Sequence, residues 1–253
     1  MSIVDPVPQT AGPGDSPRVS PGTRAMRVFV SPVKAWEGLE HQVQWWIPLL
    51  ITALFSAGVF FLLYDRAVLP MMLEQMEEQV ASGQLPAEQF DKIEAAYSGG
   101  GARYLMVGGQ VLAVTLITFL VAAVVWFGIG FVLGAKFRYR LALEAVCWSN
   151  LVTLPGQLIV TAIAWSQETM KGVHIGLAAL LPQSDEPSKL MVGLTVFLDA
   201  ISPFSAWNLV VLVLAGSTLA AAPRRSVAWV LVSLYLALFA IGAVVSAIFS
   251  PGS

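Results

Sequence analysis

Charge is what this sequence lacks most. Only 12% of its 253 residues are Asp, Glu, Lys or Arg, where a soluble domain carries about 25%. That deficit excludes an ordinary soluble surface. The formal charge of −2 provides no basic face, so nucleic acid is not an expected partner. A single cysteine, Cys147, rules out a disulfide within the chain. The two histidines, His41 and His174, lie far apart with no neighbouring cysteine, so neither a metal nor a cofactor site is expected. No serine is placed with a histidine and an acid, and there is no phosphate loop, HExxH or paired aspartate within an apolar run. The expectation is a protein without catalysis.

What is present is apolar sequence, 57% of the chain. A membrane-crossing helix needs about 20 mostly apolar residues. Five stretches meet that need, at about 45–64, 107–134, 141–165, 204–222 and 227–249. The second lies within a run reaching from Tyr104 to Gly134, long enough to tilt or protrude. The run Ile175–Leu181 is too short to cross and reads as an interfacial turn or re-entrant piece. The fold class expected is all-α: a polytopic membrane protein with five transmembrane helices, an N-terminal interfacial helix and a helical outer loop.

Residues 1–24, rich in Pro, Gly and Ser, read as a disordered tail, and a secretory signal is not expected in the first 44 residues. Residues 25–249 form the membrane domain, and 250–253 a short C-terminal end. In RAMRVFVSPVKAWEGLEHQVQ, apolar Val28, Phe29, Val33, Trp36 and Leu39 recur with helical spacing around a Ser31-Pro32 start. In the loop 66–103, LPMMLEQMEEQVASG and LPAEQFDKIEAAYSGGG predict a helical hairpin, with Gly83 as a stop and a solvated acidic face.

Lys and Arg set the orientation. Arg18, Arg24, Arg27 and Lys34, then Lys136, Arg138 and Arg140, then Arg224 and Arg225, occupy the tail and the compact loops. Arg66, Lys92, Arg103, Lys171 and Lys189 are spread over two longer loops. The N-terminus is therefore expected in the cytoplasm and the C-terminus outside.

A charge inside a span is a functional candidate by default, and Glu144 is the one here. It follows Arg140 by four residues, so an interfacial pair on one helix face is available. A proton- or ligand-linked carboxylate and a helix-packing or partner contact are the other readings. Asn150 and Gln157 flank Pro155, where a kink is expected; they suit either helix packing or a transporter-like site. Gly130 and Gly134 have GxxxG spacing, expected to serve packing within the chain. Ser202-Pro203 reads as a helix start, Asp199 as a charge favoured before the positive helix end, and Trp207 as an interface anchor. Asn208 is left over and is expected to bond to another span.

The stretch FLDAISPFSAWNLVVLVLAG, with Asp199, Phe204, Trp207 and Gly216, resembles the signature of the Yip1 family. VFVSPVKAWEGL, with Ser31 and Pro32, resembles the element preceding the first span. FRYRLALEAVCWSNLVTLPG, with Phe137, Arg138 and Pro155, resembles the start of the third. The resemblance covers roughly residues 25 to 249. It implies five spans with a cytoplasmic N-terminus. Eukaryotic relatives are trafficking factors that associate with small GTPases and related membrane proteins. The short tail and added outer loop depart from that pattern and argue against carrying over a GTPase partner. The implied role is a membrane organiser that binds other membrane proteins or itself within the lipid bilayer. A small transporter or channel around the third span is the alternative. Ala-, Val- and Leu-rich composition suits a bacterial inner (plasma) membrane.

Overall fold

A computed structural model describes residues 19–182 and 188–249. All regular structure among the described residues is helical. The order is α1 (Pro21–Val30), α2 (Trp46–Leu63), α3 (Leu69–Ala81), α4 (Ala87–Tyr97), α5 (Gly100–Trp126), α6 (Tyr139–Asn150), α7 (Leu154–Gln167), α8 (Lys189–Asp199), α9 (Pro203–Leu219) and α10 (Arg224–Phe249).

Four unbroken helical segments are long and apolar enough to cross a membrane: Trp46–Ala81, Gly100–Val132, Tyr139–Gln167 and Arg224–Phe249. A fifth crossing requires α8 and α9 to act together as one bent span, which differs from the expected single helix. α9 has 17 residues, about 25 Å at 1.5 Å per residue, short of a ~30 Å hydrocarbon core. It follows α8 at a bend of 53°. α8 escaped the sequence reading because its 11 residues fall well below a spanning length. Its Gly193 lies against α10, where an added Cβ would sit 3.1 Å from the Ala243 carbonyl and 3.2 Å from the Ala247 methyl.

α6 is the central helix. Every residue from Leu141 to Ser149 is buried, and α2, α5 and α9 pack around it. α10 packs against α8, α9 and the end of α5. Lipid gives no hydrophobic drive between helices, so close shape fit must hold them. Glycines supply it: a Cβ on Gly128 would meet Leu234 at 2.5 Å, and one on Gly216 would meet Ile129 at 2.6 Å. Of the expected GxxxG pair, a Cβ on Gly130 would meet the Phe137 carbonyl at 3.4 Å and Trp126 at 3.5 Å, both ordinary contacts, and Gly134 has open space and φ +65. The close helix approach therefore belongs to Gly128, and Gly134 ends the helix.

α2 continues into α3 through a π turn at Tyr64–Val68, and α5 ends in another at Phe127–Val132. The loop 66–103 is helical, as expected. Gly83 stops α3 at φ +74, and Pro86 precedes the first turn of α4. On α3, Glu74 pairs with Lys171 at 3.2 Å; near α2, Asp65 pairs with Arg103 at 2.7 Å.

Two expected boundaries shift. α1 reaches back to Pro21, inside the stretch read as tail, because Ser20 caps it by accepting from the Thr23 N–H; the rest of that tail, to residue 18, lies outside the described residues, as does 250–253. Ser31-Pro32 ends this helix instead of starting one: Ser31 is its C-cap, and proline cannot continue a helix it has no donor for. Short 3-10 turns at Lys34–Trp36 and Leu39–His41 carry the chain on to α2.

Gly176 tests the packing. A Cβ there would fall 2.3 Å from the Asp199 carbonyl oxygen, a backbone atom that cannot rotate away. Gly176→Ala should destabilise the protein by about 1–3 kcal/mol, read as a lower thermal midpoint in detergent. Gly58→Ala, with nothing within 4 Å, should raise the midpoint or leave it unchanged.

Candidate functional site

The polar residues gather most densely at the α1 end of the bundle. Glu144, on α6, is fully buried. Its Oε1 accepts from the Gln44 backbone N–H at 2.7 Å, and its Oε2 accepts from the Trp148 indole at 3.2 Å. Trp45 is the N-cap of α2 and has no side-chain cap of its own. The carboxylate thus holds the amide just before the cap and sets a charge from another helix at the end of α2 where the helix dipole favours a negative one.

Arg140 serves the complementary groups of the same connector. It donates to the carbonyls of Gln42 and Glu40, each at 2.7 Å. Its guanidinium stands 4.0 Å from Glu144, the outer limit of an ion pair. The expected Arg140–Glu144 pair is therefore secondary. One helix turn presents a cation to the connector's carbonyls and an anion to its amides.

Arg24 was not legible as part of this site. It sits on the inner face of α1, fully buried. It donates to Gln44 Oε1 at 2.9 Å, Gln42 Oε1 at 2.9 Å, the Glu37 carbonyl at 3.3 Å and the Ala35 carbonyl. Its guanidinium lies 5.9 Å from the centroid of the Trp148 ring. Burial pulls its pKa below the ordinary arginine value, and the nearby Glu144 carboxylate opposes that shift. The signal that could have found it is Ser20-Pro21, a helix start that puts Arg24 and Val28 on one face, four residues apart.

The other candidates lie elsewhere. Asn208 and Asn150 face each other across α9 and α6, with Asn208 Nδ2 3.4 Å from Asn150 Oδ1; the expected bond to another span is there. Pro155 stands in the first turn of α7, after a 3-10 break at Leu151–Thr153, where its missing donor costs nothing. Gly156 beside it receives the Phe204 ring, which a Cβ would meet at 2.6 Å. Gln157 lines a cavity of about 350 Å3 with Ser56, Gln110, Thr153, Thr161 and Ser202 among apolar neighbours. Glu144, Asn150 and Asn208 are not in its lining, so the four polar candidates do not converge.

Asp199 differs from its expected role. It ends α8, and its Oδ1 accepts from the Gly176 N–H at 3.3 Å and stands 3.4 Å from His174 Nδ1. The start of α9 is satisfied instead by a reciprocal pair: Ser205 N–H donates to Ser202 Oγ at 3.1 Å, and Ser202 N–H to Ser205 Oγ at 2.8 Å. Trp207 is 44% exposed, as suits an anchor. Phe137 is buried and Arg138, beside it, is the N-cap of α6. Among the described residues no group of His, Cys, Asp and Glu could hold a metal ion.

A family model described as the Yip1 domain matches residues 26–246. No curated protein and no solved structure matches the chain.

Gln44 touches both buried charges, through its backbone to Glu144 and through its side chain to Arg24. Glu144→Leu strands two donors, the Gln44 N–H and the Trp148 indole, at about 1–3 kcal/mol for an orphaned buried group. Glu144→Leu and Arg24→Met should each lower the thermal midpoint in detergent. The double variant should lose less than the sum, with a coupling of about 0.5–3 kcal/mol. Strict additivity would show that the two charges act independently.

Proposed function

The chain belongs to the Yip1 family, and from that membership we propose a non-catalytic membrane organiser that binds other membrane proteins or further copies of itself. It is an integral membrane protein with helices of spanning length. The observation that supports the role is the use of its polar groups. Glu144, Arg140 and Arg24 tie the start of α2 to α6 and α1, and Asn150 with Asn208 joins α6 to α9. These groups tie the chain to itself, and none of them is in the lining of the cavity at Gln157. Charge distribution favours a cytoplasmic N-terminus. The composition favours a bacterial inner membrane.

The second reading, a small transporter, draws on the cavity at Gln157. Of its four motivating residues only Gln157 lies there.

In-cell crosslinking followed by mild-detergent purification and mass spectrometry separates the two. A stoichiometric membrane-protein partner, or a crosslinked copy of the chain, is the expected result. Partner-free protein that moves ions or solutes in proteoliposomes would overturn the organiser role.

A further inference from the structure

Two cavities adjoin near the end of α5, and their chemistry changes along the helix direction. The first, about 520 Å3, lies between the π turn of α5 and the link to α6. Its walls include Trp126, Phe127, Phe131 and Phe137, and it carries Lys136 and Arg138. The second, about 350 Å3, lies between α5 and α10, lined by Ala123, Val124, Leu234, Ala237, Leu238 and Ile241. Phe127 lines both.

The basic cavity has no compensating acid. No Asp or Glu lines it, and residues 104–143 contain neither. Arg140, two residues after Arg138 in the first turn of α6, is committed to backbone carbonyls. Lys136 and Arg138 are exposed and make no ion pair among the described residues. The Trp126 indole N–H borders the same space, 3.5 Å from where a Cβ on Gly130 would stand.

The apolar cavity lies at the right depth for a hydrocarbon chain. Leu234, Ala237, Leu238 and Ile241 form an i, i+3, i+4, i+7 stripe on α10. Leu234 follows Arg224, the first residue of α10, by ten positions, which puts the stripe about 15 to 25 Å along the helix. The π turn packs beside the early turns of α10, with Gly128 against Val230 and Leu234. The basic cavity is thus at the water-facing end and the apolar one beneath it.

We propose that these two cavities hold one anionic phospholipid. Its phosphate sits between Lys136 and Arg138 within reach of the Trp126 indole N–H, and an acyl chain passes Phe127 into the groove between α5 and α10. A soluble anion would leave the groove unfilled, and an apolar helix would leave two cations and an indole donor unmatched. A headgroup joined to a hydrocarbon chain satisfies both, in the order in which the membrane presents them.

The test titrates the purified full chain, in mild detergent, with phosphatidylglycerol, phosphatidylcholine or inorganic phosphate. Native mass spectrometry reads retained lipid, and a melt reads stabilisation. Phosphatidylglycerol should be retained and raise the midpoint, while the other two do neither. Lys136→Ala with Arg138→Ala should weaken retention at least about tenfold. Arg224→Ala with Arg225→Ala should leave it unchanged. Ala237→Phe, filling the groove from an exposed position, should lower retention without lowering the midpoint of lipid-free protein; this arm decides if the double variant fails to fold. Equal retention of phosphatidylcholine overturns the proposal. So does equal stabilisation by inorganic phosphate, which marks a soluble-anion site. Equal loss from the Arg224 and Arg225 pair overturns it as well, since attraction would then be general to that end of the protein.

Discussion

The Glu144 carboxylate sets the arrangement at one end of the molecule. α2 starts with Trp45 and Trp46, whose side chains offer no cap to the backbone donors there, and has Pro48 two residues on. In a medium without water those donors need a partner from the protein. Glu144 provides one from the middle of the chain, at the Gln44 N–H just before the helix, so the start of α2 and α6 hold each other in place. Arg140 fixes the other polarity of the same connector, and Arg24 closes over it from α1. With this end pinned by charge-assisted bonds, the middles of the helices can pack on shape, through Gly128, Gly156 and Gly216.

Four spanning segments were legible because length and hydropathy are local properties. So was the Asn208 bond, since an amide in an apolar run has few other partners. The parts that were not legible depend on distant residues. Arg24 looks like one more charge in a Pro- and Ser-rich tail until Gln42, Gln44 and Trp148 surround it. α8 is too short to announce itself, and it holds its place by packing Gly193 on α10. Asp199 has the right position to favour the next helix end, yet the Ser202–Ser205 pair already serves that end. The carboxylate is free to hold the Gly176 loop instead.

The residues that carry the family resemblance have packing roles in this chain. Gly156, next to Pro155, leaves the space that the Phe204 ring fills. Gly216 admits Ile129 from the π turn of α5. Phe137 is buried and fixes the link into α6, leaving Arg138 pointing away from the core. Phe137, Phe204 and Gly216, scattered over the sequence, thus meet in contacts among α5, α6, α7 and α9.

The π turn at Tyr64–Val68 has a consequence for evolution by insertion and deletion. It holds one residue more per turn than the α-helices on either side, and its Tyr64 hydroxyl is anchored to the Tyr97 carbonyl at 3.0 Å. Removing a residue there would barely shorten the rod from Trp46 to Ala81. It would swing everything beyond it by about 100° around the axis, turning the inward edge of the α3–α4 hairpin away from Met106 and Met170, which now pack against that region. The length of this turn is thus an angular setting, and a change of one codon there would re-aim the hairpin relative to the start of the rod.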